Sequence, residues 1–183
     1  MSRYQDILVH LGGEDAPWRA ALPLARASAG RLTLVEVLGD PPPQLVNQGS
    51  QRCELLKERW RKGLRDHLAT VAERLIDEGI EVQTRLVEGD LATSLLDALA
   101  AGGHDLLVRQ ADQGLGQDRL SLAAVDHKLL RRSPRPVLLV KPRLSRGQRV
   151  TVAVDTSDGD VERAERNQGL AAAGAELASR LDL

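Results

Sequence analysis

The chain has 183 residues, 42% of them hydrophobic, and a formal net charge of −1. That is enough apolar material for one ordinary domain with chain to spare, and the near-neutral charge favours neither nucleic acid nor a membrane surface as a partner. No apolar run reaches the roughly 18 residues of a membrane span, and no signal-peptide pattern opens the chain. Cys53 is the single cysteine. We therefore expect a reducing, cytoplasmic setting and no metal site.

Apolar runs and amphipathic stretches alternate along the first 142 residues. Five runs have the composition of strands: residues 7–11, 32–38, 80–87, 104–108 and 136–141. Four helices are expected between them: residues 17–28, about 50–79, 90–101, and one that ends at 131–132. This βαβαβαβαβ order predicts a parallel, doubly wound α/β sheet. Residues 80–87 alternate between apolar and polar, which favours a sheet edge.

Local signals refine these elements. Gly12 and Gly13 turn the chain after the first strand, and Asp90 suits the N-cap of the third helix. Trp60 lies on the apolar stripe of the long second helix and is expected in the core. Trp18 borders the end of the first strand and could line an apolar pocket, and His127 is expected to be a partly exposed helix residue.

The sequence changes character after residue 142. Residues 144–149 look like a basic linker, residues 150–154 predict a new strand, and residues 167–183 predict an Ala- and Leu-rich helix. This β-α unit repeats the opening pattern of the chain. An internal repeat that ends after one unit predicts a tandem protein whose second domain is cut short.

Residues 4–142 resemble a universal stress protein domain. The likeness lies in the element order and in three segments: Val-Glu-Gly-Asp at 87–90, His-Asp at 104–105, and Ser-Pro-Arg-Pro-Val at 133–137. The Leu-Leu-Arg-Arg segment at 129–132 is most similar to the tandem, E-type members. The resemblance therefore implies a universal stress protein domain over residues 1–143, a linker, and the first unit of a similar domain over residues 150–183.

The same resemblance implies a strand order 3-2-1-4-5, with a ligand crevice where the order reverses. That crevice would involve Gly12, Gly13 and Val37, with Gly114 and Gly116 nearby but out of register with the family motif. Nucleotide-binding members carry a glycine loop that lets backbone N–H groups approach phosphates. The four corresponding positions here all depart from that pattern: Gln110, Gln113, Ala123 and Ala124. Gly12 replaces the family's adenine-side Asp.

Charge also argues against a bound triphosphate. Four acidic residues, Glu14, Asp15, Asp112 and Asp118, flank the expected crevice, opposed by Arg109 and Arg119. At an effective dielectric near 20, a carboxylate about 6 Å from a phosphate opposes binding by roughly 2–3 kcal/mol. ATP is therefore disfavoured as a cofactor, and none is expected.

Two functional classes remain open. The first is a non-enzymatic stress-response protein that acts by association with a partner or an apolar small ligand. The second is a nucleotide-binding regulatory protein with a degenerate loop. The apolar edge strand, Val137, Leu138, Leu139 and Val140, needs covering, so we expect a homo-oligomer or a domain pairing through strand five.

Overall fold

A computed structural model describes residues 4–40, 50–112, 122–141, 151–152 and 161–180. The chain divides into two compact units, Met1–Pro142 and Arg143–Leu183. In the second, the structure describes one helix, α5 (Val161–Arg180), which begins six residues before the expected Asn167. The strand expected at residues 150–154 falls largely outside the described residues; Thr151 and Val152, which are described, are not in a strand.

The first unit alternates strands and helices. The strands are β1 (Asp6–His10), β2 (Arg31–Leu38), β3 (Val82–Glu88), β4 (Leu106–Gln110) and β5 (Val137–Val140). The helices are α1 (Ala16–Ser28), α2 (Ser50–Asp77), α3 (Leu91–Ala101) and α4 (Ala124–Arg132). All neighbouring strands are parallel and the order is β3-β2-β1-β4-β5. The predicted fold class and strand order are confirmed.

The sheet is doubly wound around a core of Leu, Val and Ala. Leu8, Val35 and Leu107 lie on one face, where they pack with α3 and α4. Successive side chains of a strand point to opposite faces, so Glu36 faces the other way and contacts His67 of α2. The half-exposed β3 lies at one edge, as its alternating sequence predicts, and β5 lies at the other.

Caps and turns follow the sequence with small shifts. The side chain of Asp90 accepts a hydrogen bond from the backbone N–H of Thr93, which confirms it as the N-cap of α3. Helix α1 ends at Ala29 in the left-handed region (φ 47°), one residue before the expected stop at Gly30. Gly30 is needed for space, because a Cβ there would lie 2.7 Å from the carbonyl oxygen of Gln5.

A polar cluster ties β4 to β1 at the amino edge of the sheet. The carboxylate of Asp105 accepts hydrogen bonds from the backbone N–H groups of Gln5 and Asp6, both at 3.0 Å. The side chain of Asp6 pairs with Arg31 and with the buried His104. The His-Asp segment that enters β4 therefore holds strands in place, at the edge opposite the crevice.

None of the described helices has an apolar stretch long enough to cross a bilayer. Among the same residues, no three His, Cys, Asp or Glu side chains are grouped closely enough to hold a metal ion.

Candidate functional site

The turn after β1 forms one side of a crevice at the carboxyl edge of the sheet. Gly12 and Gly13 both have positive φ, 61° and 75°, and the N–H of Glu14 donates to the carbonyl of Leu11 at 3.1 Å. Positive φ at both central residues is the pattern of a type I′ turn, which favours glycine. The backbone N–H groups of the two glycines consequently point the same way, as in an anion-binding turn.

An internal carboxylate already occupies this turn. The N–H of Gly12 donates to Oε2 of Glu36 and the N–H of Gly13 donates to Oε1, both at 3.2 Å. Nδ1 of His67 lies 3.1 Å from the same Oε1. Because a carboxylate only accepts hydrogen bonds, this nitrogen carries the proton. Glu36 is 2% exposed, so the turn binds an anion that the chain itself supplies.

On the opposite side of the crevice, an arginine is held by two carboxylates. Arg109, at the end of β4, is 2% exposed and lies 2.8 Å from the fully buried Asp126 of α4 and 2.9 Å from Asp112. Asp126 also accepts the backbone N–H of Asp112 at 3.0 Å. Burial raises the pKa of Asp126, whereas Arg109 and the backbone N–H groups of Asp112 and Ala123 act in the opposite direction.

Asp126 also lies in the first turn of its own helix, where an acidic side chain is favourable. Ala123 is the N-cap residue of α4 and offers no side-chain cap, and Asp126 is the third residue of that helix. An acidic side chain at this position reaches back to the N-cap N–H, as in half of a capping box. A phosphate at this helix start would therefore meet a buried carboxylate.

His10, at the end of β1, lies on the same face as Arg109, with which it pairs in register. Burial, and then the positive charge of Arg109, lower the pKa of His10 from 6.5 to about 4. Nε2 of His10 is 3.9 Å from Oε2 of Glu36, beyond hydrogen-bond distance. At neutral pH His10 is uncharged and contributes no positive charge to the crevice.

These groups surround a cavity of about 400 Å³, within the range of small-molecule sites. Its polar lining includes His10, Glu14, Glu36, Arg109, Gln110 and Asp112, and its apolar lining includes Leu11, Val37, Trp60, Leu64 and Leu91. The cavity is thus built from the ends of β1, β2 and β4, the start of α3, and one face of α2. This is the edge at which parallel sheets bind ligands.

The structure brings together part of the predicted site. Gly12, Gly13, Val37 and Gln110 all line the cavity. Gln113, Gly114, Gly116, Asp118 and Arg119 lie outside the described residues. Ala123 and Ala124 are at the start of α4, and neither is among the described residues that line the cavity.

Three expectations need correction. The strand expected at residues 104–108 ends too early, because Arg109 and Gln110 are the last residues of β4 and pair with Leu139 and Val140. Trp60 is not in the core: it is 45% exposed and lines the cavity. Trp18, in the first turn of α1, is 5% exposed and donates a hydrogen bond from its indole N–H to Asp15. It is buried and does not line the cavity. His127 is exposed, as expected.

Sequence reasoning missed Glu36, although a signal was present. It is the one charged residue within the apolar run of residues 32–38, and β2 is a central strand. A carboxylate in a strand covered on both faces needs hydrogen-bond partners, so its position alone marks it for a buried polar role. Its partners could not be inferred, because Gly12 lies 24 residues away along the chain.

Known proteins were compared with the chain. No curated protein sequence matches it significantly. Among solved structures, a universal stress family protein from Burkholderia pseudomallei is 28% identical (TM-score 0.59), with 76% of this chain and 97% of that chain covered. A Pseudomonas aeruginosa protein is 22% identical (TM-score 0.71), and the match covers 98% of this chain but 59% of that one. A universal stress protein in complex with cAMP is 23% identical (TM-score 0.54), with 78% and 100% covered.

The similarities below 25% identity concern the fold, and they agree with the sheet order described above. The family assignment comes from the sequence itself. The model of the universal stress protein family matches residues 3–141, which is most of the chain and all five strands. This chain belongs to the universal stress protein family.

Proposed function

We propose that this protein is a non-enzymatic stress-response protein, which acts by association with a partner or a small non-phosphorylated ligand and does not bind ATP tightly. Family membership supports the stress-response role. The observation that carries the rest is the position of Glu36, whose carboxylate already accepts the N–H groups of Gly12 and Gly13. A phosphate at this turn would have to displace a buried carboxylate.

The opposite side of the crevice supports the same proposal. The guanidinium of Arg109 is held between Asp112 and Asp126. A phosphate would have to compete with both carboxylates for this cation, and would do so beside Glu36. Charged hydrogen bonds are the strongest contacts a phosphate makes, and here the guanidinium and the two glycine N–H groups already lie against carboxylates of the protein.

Thermal unfolding with ATP–Mg²⁺ tests the proposal. A ligand at 100 times its dissociation constant stabilises the folded state by about 2.7 kcal/mol, which corresponds to several degrees of Tm. We expect no such rise at millimolar ATP, and no phosphate release above background. A clear rise would show that the crevice opens to accept a triphosphate and would contradict the proposal.

The alternative is a nucleotide-binding regulatory protein, and one observation keeps it open: a solved universal stress protein of the same fold is in complex with cAMP. A cyclic monophosphate carries one negative charge rather than several, so it meets less repulsion from Glu36 and Asp112. The same melting experiment with cAMP discriminates the two functions. Stabilisation by cAMP but not by ATP would favour the regulatory alternative.

We also propose that β5 mediates self-association or pairing with another domain. It is a sheet edge with four consecutive apolar residues, Val137–Val140. An apolar edge strand presents unpaired backbone groups that favour pairing with another strand.

Residues 150–183 are further proposed to be the opening β-α unit of a second domain of the same family, as in tandem members. The Pseudomonas aeruginosa match supports this, because it extends over 98% of this chain while the chain spans 59% of that protein. The mass of the protein isolated from its natural source tests it: a tandem protein is heavier than 183 residues allow.

We expect the protein to act in the reducing cytoplasm, where its single cysteine, Cys53, stays a thiol.

A further inference from the structure

One wall of the crevice is apolar and is formed largely by α2. This helix has 28 residues, or about 42 Å, whereas the eight residues of β2 span about 26 Å. The helix is therefore longer than the strand on which it packs. Trp60, in its N-terminal half, lines the cavity yet remains 45% exposed, with Leu64 one turn further on.

Glu36 carries a negative charge into this cavity. A backbone N–H donates to each of its two oxygens, so both oxygens act as acceptors, as in an ionised carboxylate. Neither backbone amide brings a formal charge, and His10 nearby is neutral because burial and Arg109 lower its pKa to about 4, so the imidazole of His67 is the one described hydrogen-bond partner of Glu36 that can carry a positive charge. A buried charge is ordinarily compensated by an opposite one.

The remaining charges make the crevice more negative. Glu14 and Asp112 line its exposed mouth, and the positive charge of Arg109 is shared between Asp112 and Asp126. Among the described lining residues, three are therefore carboxylates and one is a permanent cation. A cleft with apolar walls and an excess of one sign of charge concentrates ligands of the opposite sign.

We propose that this crevice binds a small organic cation with an aromatic or aliphatic body, such as an amine or a quaternary ammonium compound. The cationic group lies near Glu36 and the mouth carboxylates, and the body packs on Trp60, whose indole face also attracts cations. The inference rests on the proposed function, since it assumes a ligand without phosphate. The inference goes further in predicting that this ligand is positively charged.

Three probes of similar size and different charge test the inference: benzylamine, benzyl alcohol and benzoate. Binding is followed by calorimetry and by the fluorescence of Trp60 in a Trp18→Phe background, where Trp60 is the single tryptophan. We expect benzylamine to bind about tenfold more tightly than benzyl alcohol, and benzoate to bind least, because charge alone separates the three. High salt should reduce the preference for the amine.

Glu36→Gln removes the charge and keeps the side-chain size, so we expect the ratio of amine to alcohol affinity to fall several-fold, while the remaining preference comes from the mouth carboxylates and Trp60. Glu78→Gln, the same change in an exposed ion pair with Arg26 away from the cavity, should leave the ratio unchanged. If Glu36→Gln does not fold, Trp60→Leu serves instead, since this exposed side chain can be changed without opening the core. It should reduce the ratio several-fold by removing the indole face.

Equal binding of amine and alcohol by the unmodified protein, or no binding of benzylamine at millimolar concentration, would overturn the inference and leave the proposed function untouched. Tight binding of ATP would instead contradict the proposed function. The two failures are therefore distinguishable.

Discussion

The guanidinium of Arg109 lies 2.8 Å from the carboxylate of Asp126, and the two side chains are 2% and 0% exposed. Two buried charges thus connect the end of β4, which lines the crevice, to the first turn of α4. Because each neutralises the other, the structure tolerates both at a position where either alone would be costly.

Removing one partner should therefore destabilise the protein strongly. We expect Arg109→Met or Asp126→Leu to lower the free energy of unfolding by about 3–5 kcal/mol, and the double variant to lose much less than the sum. Urea unfolding measures all three. As a control, Arg26→Met breaks an exposed pair with Glu78 and should change little. Additive losses at Arg109 and Asp126 would show that the two charges are not coupled.

The low pKa of His10 makes stability depend on pH. His10 has a pKa of about 4 in the folded protein and 6.5 as its ordinary value, so the unfolded chain takes up the proton first as pH falls. Stability from this residue is complete above about pH 6.5 and is lost as pH falls towards 4, by roughly 3 kcal/mol.

His10→Gln should flatten this part of the stability curve, measured by urea unfolding at several pH values. His127→Gln, at an exposed residue of α4, should leave the curve as it is. The same loss between pH 6.5 and 4 in the His10 variant would assign that pH dependence to another group.

Two glycine-to-alanine changes should have opposite effects. A Cβ at Gly63, inside α2, meets no atom within 4 Å, so alanine should raise stability by about 0.5–1 kcal/mol through its higher helix propensity. A Cβ at Gly102 would lie 2.2 Å from Nε2 of the buried His104. The ring is buried and its other nitrogen contacts Asp6, so Gly102→Ala should cost about 1–3 kcal/mol and weaken that contact. Thermal or urea unfolding measures both; a stabilised Gly102 variant would mean that His104 can relocate.

Self-association through β5 should be sensitive to charge at the strand. Leu139 is half-buried in β5, and Leu139→Glu would place a carboxylate in the proposed contact. We expect this variant to shift the protein towards monomer in sedimentation velocity. Leu130→Glu, at a 46% exposed position on α4, is the matched control and should leave the assembly intact. If both variants associate as the unmodified protein does, β5 is not the contact.

The elements themselves could be predicted because their signals are local. Asp90 was identified as an N-cap and residues 80–87 as an edge strand from neighbouring residues alone, and both are confirmed. The strand order, in contrast, was expected from family resemblance, since periodicity does not say which strands are neighbours. The prediction that Trp60 lies in the core was wrong, because the helical spacing of apolar residues does not show what covers each of them. The helix is longer than the strand on which it packs, and the indole of Trp60 stays partly exposed.

The amino-acid sequence by itself determined the alternation of strands and helices, because hydrophobic periodicity and capping depend on residues a few positions apart. Together with the family resemblance, it predicted that the glycine loop of nucleotide-binding members is altered in this chain. Only the tertiary structure decided which side chains lie against the glycine turn and the arginine of the crevice. Glu36 meets Gly12 because parallel strands bring their carboxyl ends to one edge, and Arg109 meets Asp126 because α4 begins beside the end of β4. These partners are far apart in the chain and are brought together only by the packing of the strands and helices. No pattern of neighbouring residues therefore predicts them.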